Sequence, residues 1–117
     1  MNTSYFANYR GDNGISIHPI PPIWYIGKEY RKLSPKYSIL LDYRKGKITE
    51  EEYIELYYKH VLNKLDPRQV YNDLIELCGE DAVLLCWCGD DKFCHRHIVS
   101  KWLNEALGTQ ITELQMV

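Results

Sequence analysis

The side chains best suited to chemistry are concentrated in one short segment, residues 86–97. That segment contains Cys86-Trp87-Cys88 and, after a turn, Cys94-His95-Arg96-His97. A cysteine thiolate is a nucleophile, and an imidazole can exchange a proton near neutral pH. A guanidinium binds phosphate or carboxylate through two parallel hydrogen bonds. The segment is therefore predicted to be the working site.

A helix is expected to begin at about Cys94, and its first turn offers free backbone N–H groups and the positive end of the helix dipole. Arg96 is expected to reach over these groups and to hold an anion. Cys94 is the predicted nucleophile, because a helix start and nearby cations favour its thiolate, and His95 is its predicted acid–base partner. The expected ligand is a small anion, phosphate-bearing or of the nucleotide type.

Other polar and aromatic side chains are assigned to ligand binding because they fall in or near the same region. Ligands of parallel α/β sheets bind at the carboxyl ends of the strands, and an early strand there leads into His18 and a proline–aromatic loop. The predicted ligand-binding set is Arg96, His97, Cys88, His18 and Trp24.

The same residues also allow structural interpretations. Asp90 and Asp91 are suitable helix caps and suitable salt-bridge partners for Arg96, and Cys86 lies inside a predicted strand. A place for Arg96 in the core is not expected, because burying an unpaired guanidinium costs several kcal/mol.

Metal binding is the least favoured of these alternatives. Structural zinc sites usually combine two well-separated ligand pairs, whereas the spacing from Cys86 to Cys94 is tight and local. Cys88, Cys94 and one histidine could share an ion, but the prediction is that the protein needs no metal and no cofactor. A cysteine six residues before Arg96, as a phosphatase or sulfur-transferase loop would require, is absent because position 90 is Asp90. A dinucleotide-binding or P-loop motif needs a turn with several glycines, and this turn contains only Gly89, so neither motif is present.

The elements that must position this segment indicate an α/β fold. Strands are expected over 14–18, 82–87 and 109–114, and the run 82–87 is continuously apolar, as in a central parallel strand buried on both faces. Helices are expected over 34–45, 49–65, 66–78 and 94–107. Their signals are Pro35 at a first position, a capping box from Thr49 to Glu52, and Asp66-Pro67. The prediction is a single domain, residues 1–117, with a small parallel sheet flanked by helices.

Composition restricts the class of protein. The chain has 117 residues, 14 basic and 16 acidic side chains and a net charge of −2, so no general basic field for nucleic acid is present. No apolar run is long enough for a membrane span, and the first residues lack a signal-peptide pattern. The four cysteines are therefore expected to be reduced thiols, metal ligands or reactive groups of a cytoplasmic protein, and not a disulfide framework.

The chain resembles a family of bacterial and phage proteins, the domain-of-unknown-function family 488. The resemblance is carried by 84–88 and 93–99, which contain a cysteine-ending strand and a Cys-His-Arg helix start, and by 15–17, 22–25, 33–35, 48–53 and 61–62. It implies an α/β fold and a signature at Cys86, Cys94, His95 and Arg96. This sequence departs from the family where Cys88 replaces an acidic residue and Pro19 an arginine.

Two functions follow from the sequence. The preferred one is an anion-binding pocket with thiol or histidine chemistry, and whether it is an enzyme stays open. The alternative is a non-catalytic module that binds a metal or a host protein and uses its cysteines structurally.

Overall fold

A computed structural model describes residues 1–87 and 93–114. Its strands form one sheet in the order β3-β2-β4-β1-β5, and every pairing is parallel. The strands are β1 (Asn2–Tyr5), β2 (Gly14–Ser16), β3 (Lys28–Glu29), β4 (Val83–Cys86) and β5 (Thr112–Glu113). The predicted parallel α/β fold is confirmed, with the apolar run in the central strand β4.

Four α-helices occur in the described residues: α1 (Tyr37–Arg44), α2 (Glu50–His60), α3 (Pro67–Cys78) and α4 (His95–Leu107). The capping box is confirmed, because the Thr49 side chain accepts from the Glu52 N–H and the Glu52 side chain accepts from the Thr49 N–H. Asp66 caps α3 by accepting from the Arg68 N–H at 3.2 Å. These local signals therefore placed two helix starts correctly.

The start of α1 differs from the prediction, which put Pro35 at its first position. A short 3-10 helix, Arg31–Leu33, precedes α1, and the N–H of Ser34 donates to the Arg31 carbonyl at 3.0 Å. Ser34 thus closes the earlier turn and cannot cap the next helix. Lys36 is still extended, with φ −61° and ψ 131°, so α1 begins only at Tyr37.

Strand β1 was not predicted at all. Its sequence is polar, yet Thr3 and Ser4 are buried between β4 and β5. A strand with neighbours on both edges satisfies its backbone groups whatever its side chains are, so hydropathy alone did not reveal it.

The two faces of the sheet are covered by different parts of the chain. All four described helices pack on the face that carries Ile15 and Leu84. On the opposite face Val83 and Leu85 pack against aromatic residues of two loops, namely Phe6, Tyr9 and Tyr25. Strand β4 is buried on both faces as expected, but the expected flanking helices cover only one of them.

Among the described residues, each helix is too short or too polar to cross a lipid bilayer.

Candidate functional site

The carboxyl ends of the parallel strands meet at one edge of the sheet, and helix α4 begins there. Cys86 is the last residue of β4, and Cys94 is the N-cap of α4. His18 follows β2 at the same edge. The structure therefore brings Cys94 and His95 together with His18 and Cys86. For Cys86 the sequence had allowed either a structural or a functional role.

The centre of this site is a pair of cysteines. The sulfur atoms of Cys86 and Cys94 lie in bonding contact, as a disulfide pair, with Cα atoms 7.3 Å apart. This Cα separation is longer than the roughly 4.4–6.8 Å of most disulfides. The expectation that the cysteines form no disulfide is thus corrected for these two. They form one local pair at the site, while Cys78 is free and packs against the core.

His95 lies beside this pair and is held in one tautomer. Its Nε2 is 2.7 Å from the Ile17 carbonyl oxygen, and a carbonyl only accepts, so Nε2 carries the proton. Nδ1 is then an acceptor, and it lies 3.7 Å from the Cys94 sulfur. Burial lowers the pKa of His95 to about 3 despite the bond to Ile17. His95 is therefore neutral at physiological pH and faces Cys94 with a lone pair.

Arg96 occupies a different place from the one expected. The sequence analysis put it at the surface over the helix start, but it is fully buried. Its Nε and Nη2 donate to the two carboxylate oxygens of Glu113 at 3.0 and 2.9 Å. Its Nη1 donates to the Cys86 sulfur at 2.9 Å, and the guanidinium lies 5.5 Å from the ring centre of Tyr5. The guanidinium can be buried in the core because it is paired with the Glu113 carboxylate.

Glu113 is the carboxylate that the sequence analysis missed. It lies on β5 and also accepts from the Thr3 hydroxyl at 2.6 Å. Burial tends to raise the pKa of Glu113, but the hydrogen bonds from Arg96 and Thr3 outweigh it, and the pKa is lowered. Glu113 is therefore ionised and neutralises Arg96. Its role was not visible in the sequence, because it depends on β5 lying next to β1.

His18 links the thiol pair to a second arginine. Its ring lies 6.2 Å from that of His95, and its Nε2 is 3.5 Å from Nη2 of Arg44. Burial lowers the pKa of His18 to about 4, and the charge of Arg44 adds to this effect. Arg44 is exposed at the end of α1, and no motif drew attention to it.

The remaining predicted ligand-binding residues are less closely grouped. His97 is half-buried one helical position beyond Arg96, and its pKa is lowered by burial and by Arg96. Trp24, which was assigned to ligand binding, lies on the loop 24–27 with its side chain 57% exposed, and it does not line the small cavity at Cys94. Tyr25, its neighbour, does pack against the apolar sheet face. The described residues do not include 88–92, and therefore not Cys88, Asp90 or Asp91. The predicted turn 88–93 also lies outside them, except for Phe93.

A small cavity of about 40 Å³ reaches the site from the helix side. Cys94, His95 and Arg44 line it together with aromatic residues of α1, α2 and the segment before α4, namely Tyr43, Tyr53 and Phe93. Liquid water takes up about 30 Å³ per molecule, so this space admits only the reacting end of a ligand. Cys94 is therefore the cysteine of the pair that a ligand would meet first.

Cys86, Cys94 and His95 could also hold a metal ion, since their ligand atoms lie within 4.8 Å of one another. This set differs from the one considered in the sequence analysis, which used Cys88 in place of Cys86. However, the guanidinium of Arg96 donates to the Cys86 sulfur, so a positive charge already occupies one side of the cluster and disfavours a cation there.

We expect the purified protein to fold without bound zinc or iron for this electrostatic reason. Elemental analysis of protein prepared without added metal should find much less than one ion per chain, and chelation should leave the melting temperature unchanged. One tightly bound ion per chain, with unfolding on chelation, would contradict this prediction.

The parallel sheet and the buried cysteine–histidine cluster at its carboxyl edge define a small α/β protein. More narrowly, the chain belongs to the DUF488 family. Residues 24–107 match the family model described as the active DUF488-N3 subclade. The match includes Cys86, Cys94, His95 and Arg96, the residues on which the resemblance rested. No curated protein and no solved structure matches the chain.

Proposed function

We propose that the protein is a cytoplasmic thiol enzyme that acts on a small anionic ligand, phosphate-bearing or of the nucleotide type. The observation that carries this proposal is the position of the Cys94 sulfur. It meets the Cys86 sulfur, lies 3.7 Å from Nδ1 of His95 and lines the small cavity at the start of α4. The word "active" in the description of the matched subclade supports an enzyme.

Each neighbour of Cys94 has a part in the proposed reaction. In the reduced state, which a cytoplasm maintains, the Cys94 sulfur attacks an electrophilic atom of the ligand. The thiol proton leaves to solvent before the attack, neutral His95 positions the sulfur through Nδ1, and the bond to the leaving group breaks with the electron pair on that group. The positive end of the thirteen-residue helix α4 and the Arg96 guanidinium both favour thiolates in this pair.

The anion is assigned to Arg44 in place of Arg96. Glu113 neutralises Arg96, whereas Arg44 is exposed and lines the cavity beside Cys94. An exposed cation next to the helix start suits a phosphate or carboxylate. In this proposal His18 orients Arg44. His97 and Arg96 belong to the first turn of α4 and stabilise the start of that helix.

The test compares cysteines within the reduced protein. Alkylation by iodoacetamide, followed by mass spectrometry across pH, should show Cys94 reacting at lower pH than Cys78, because Cys94, unlike Cys78, is the N-cap of a helix. Cys78→Ser is the matched control and should leave the Cys94 profile unchanged. If Cys94 reacts with the same pH midpoint as Cys78, the nucleophilic role is wrong.

One observation favours the alternative function, a module that binds a host protein. Ile23 and Ile26 are almost fully exposed, and Trp24 lies between them. An exposed apolar loop of this kind suits a protein partner. A Cys94→Ser variant separates the two functions, since it should inactivate an enzyme and leave a binding module fully functional.

A further inference from the structure

A second, larger cavity lies on the sheet face opposite the helices. It encloses about 540 Å³, within the roughly 300–1,000 Å³ that is usual for small-molecule sites. Leu85 and Gly14 form its floor, and the loops 6–12 and 24–27 form its walls. Cys94 and His95 line the separate, smaller cavity, so this space is not part of the thiol centre.

Four aromatic side chains line the walls of this cavity, namely Phe6, Tyr9, Trp24 and Tyr25. Phe6 is 2% exposed and is held by edge contacts to Trp24 at 6.5 Å and to Tyr25 at 5.2 Å between ring centres. Trp24 keeps more than half of its surface free. The cavity therefore offers a rigid aromatic wall with one ring available for stacking on a flat ligand.

The floor is kept open by a missing side chain. A Cβ atom on Gly14 would lie 2.7 Å from Cδ1 of Leu85 and 3.3 Å from a ring carbon of Tyr9. A larger residue at this position would therefore clash with Leu85 and crowd Tyr9, both of which line the cavity.

Two opposite charges stand at the rim, Arg10 and Asp12. Nη1 of Arg10 donates to the carbonyls of Phe6 and Tyr9, both at 3.3 Å, which fixes the guanidinium over the first loop. Asp12 is exposed two residues further on. A guanidinium is matched by the acceptors on one edge of a guanine, and a carboxylate by ring and amino N–H donors.

From the aromatic wall and this charge pair we propose that the cavity binds a purine base of the guanine type. The base stacks on Trp24, Arg10 donates to its acceptor edge, and Asp12 accepts from its N–H groups. This binding goes beyond the proposed thiol chemistry and does not require Cys94.

The experiment is calorimetric titration with guanosine, and with ribose as the probe that lacks a base. Guanosine should bind and ribose should not. Trp24→Ala should weaken guanosine binding by roughly tenfold or more, as expected for loss of one base–aromatic stack. Ile23→Ala is the matched control, because Ile23 is fully exposed beside Trp24 and does not line the cavity. It should leave the affinity unchanged.

Two further variants make the test decisive. Asp12→Asn should reduce the preference for guanosine over adenosine, and Cys94→Ser should retain guanosine binding even if it abolishes thiol reactivity. Failure of the thiol enzyme and failure of this site are therefore distinguishable. Equal binding of ribose, no binding of guanosine, or full affinity in Trp24→Ala would each overturn the proposal.

Discussion

Arg96→Ala is expected to lower the free energy of unfolding by about 3 kcal/mol, at the lower end for a broken buried pair. The buried guanidinium holds both oxygens of Glu113 and the Cys86 sulfur, so its loss leaves a carboxylate uncompensated and a void beside the thiol pair. The lower end applies because the Glu113 side chain is still 25% exposed. The melting temperature should fall by roughly 10 °C in a domain of this size.

The matched control is Arg31→Ala, the same chemical change in a surface ion pair. Arg31 lies 3.2 Å from Glu29, and both side chains are exposed, so the cost should be below about 1 kcal/mol. Thermal and denaturant unfolding of both variants measure the difference. An unchanged melting temperature in Arg96→Ala, together with lost ligand binding, would instead support the surface anion site that the sequence first suggested.

Lowering the pH is expected to reduce the free energy of unfolding already at pH values well above those at which carboxylates protonate. The pKa of His95 is lowered to about 3 and that of His18 to about 4, whereas the unfolded chain binds these protons from about pH 6.5 downward. Stability should therefore be complete above pH 6.5 and should fall as the pH drops toward 4. Each histidine can contribute up to about 1.4 kcal/mol per pH unit.

Denaturant unfolding at pH 7.5, 6 and 5 measures this slope. His18→Gln should reduce the slope by up to half, while His60→Gln, at the end of α2 and outside the site, should change it far less. The lowered pKa of Glu113 acts in the same direction, but only below its ordinary value of 4.5. A flat stability between pH 6.5 and 5 would show that the two site histidines are not held neutral.

Features with local causes were predictable from the sequence. The capping box at Thr49, the Asp66 cap and the apolar run of β4 each depend on residues that are close together in the chain. The edge of the sheet that carries the site followed from the parallel arrangement, since Cys86 and Cys94 flank the end of one strand and the start of the next helix.

Features that depend on distant pairing were not predictable in the same way. Arg96 was placed at the surface because its partner Glu113 is seventeen residues away and meets it only through β5. Similarly, the polar strand β1 is a strand because β4 and β5 lie on its two sides. The aromatic loops replaced the expected helices on one face, since hydropathy does not tell which apolar segment will cover a given surface.

The order of the strands has a consequence for how the protein reaches its fold. β1 and β2 are close in sequence, yet β4 separates them in the sheet, so neither has its central partner until residues 83–86 have been synthesised. Contacts across such long separations slow folding. During synthesis β1 has no pairing partner and β2 has only the short strand β3 until β4 is made, and the cysteine pair is assembled after that, once Cys94 has followed β4. A nascent chain of this protein should therefore depend on protection of its early strands until β4 arrives.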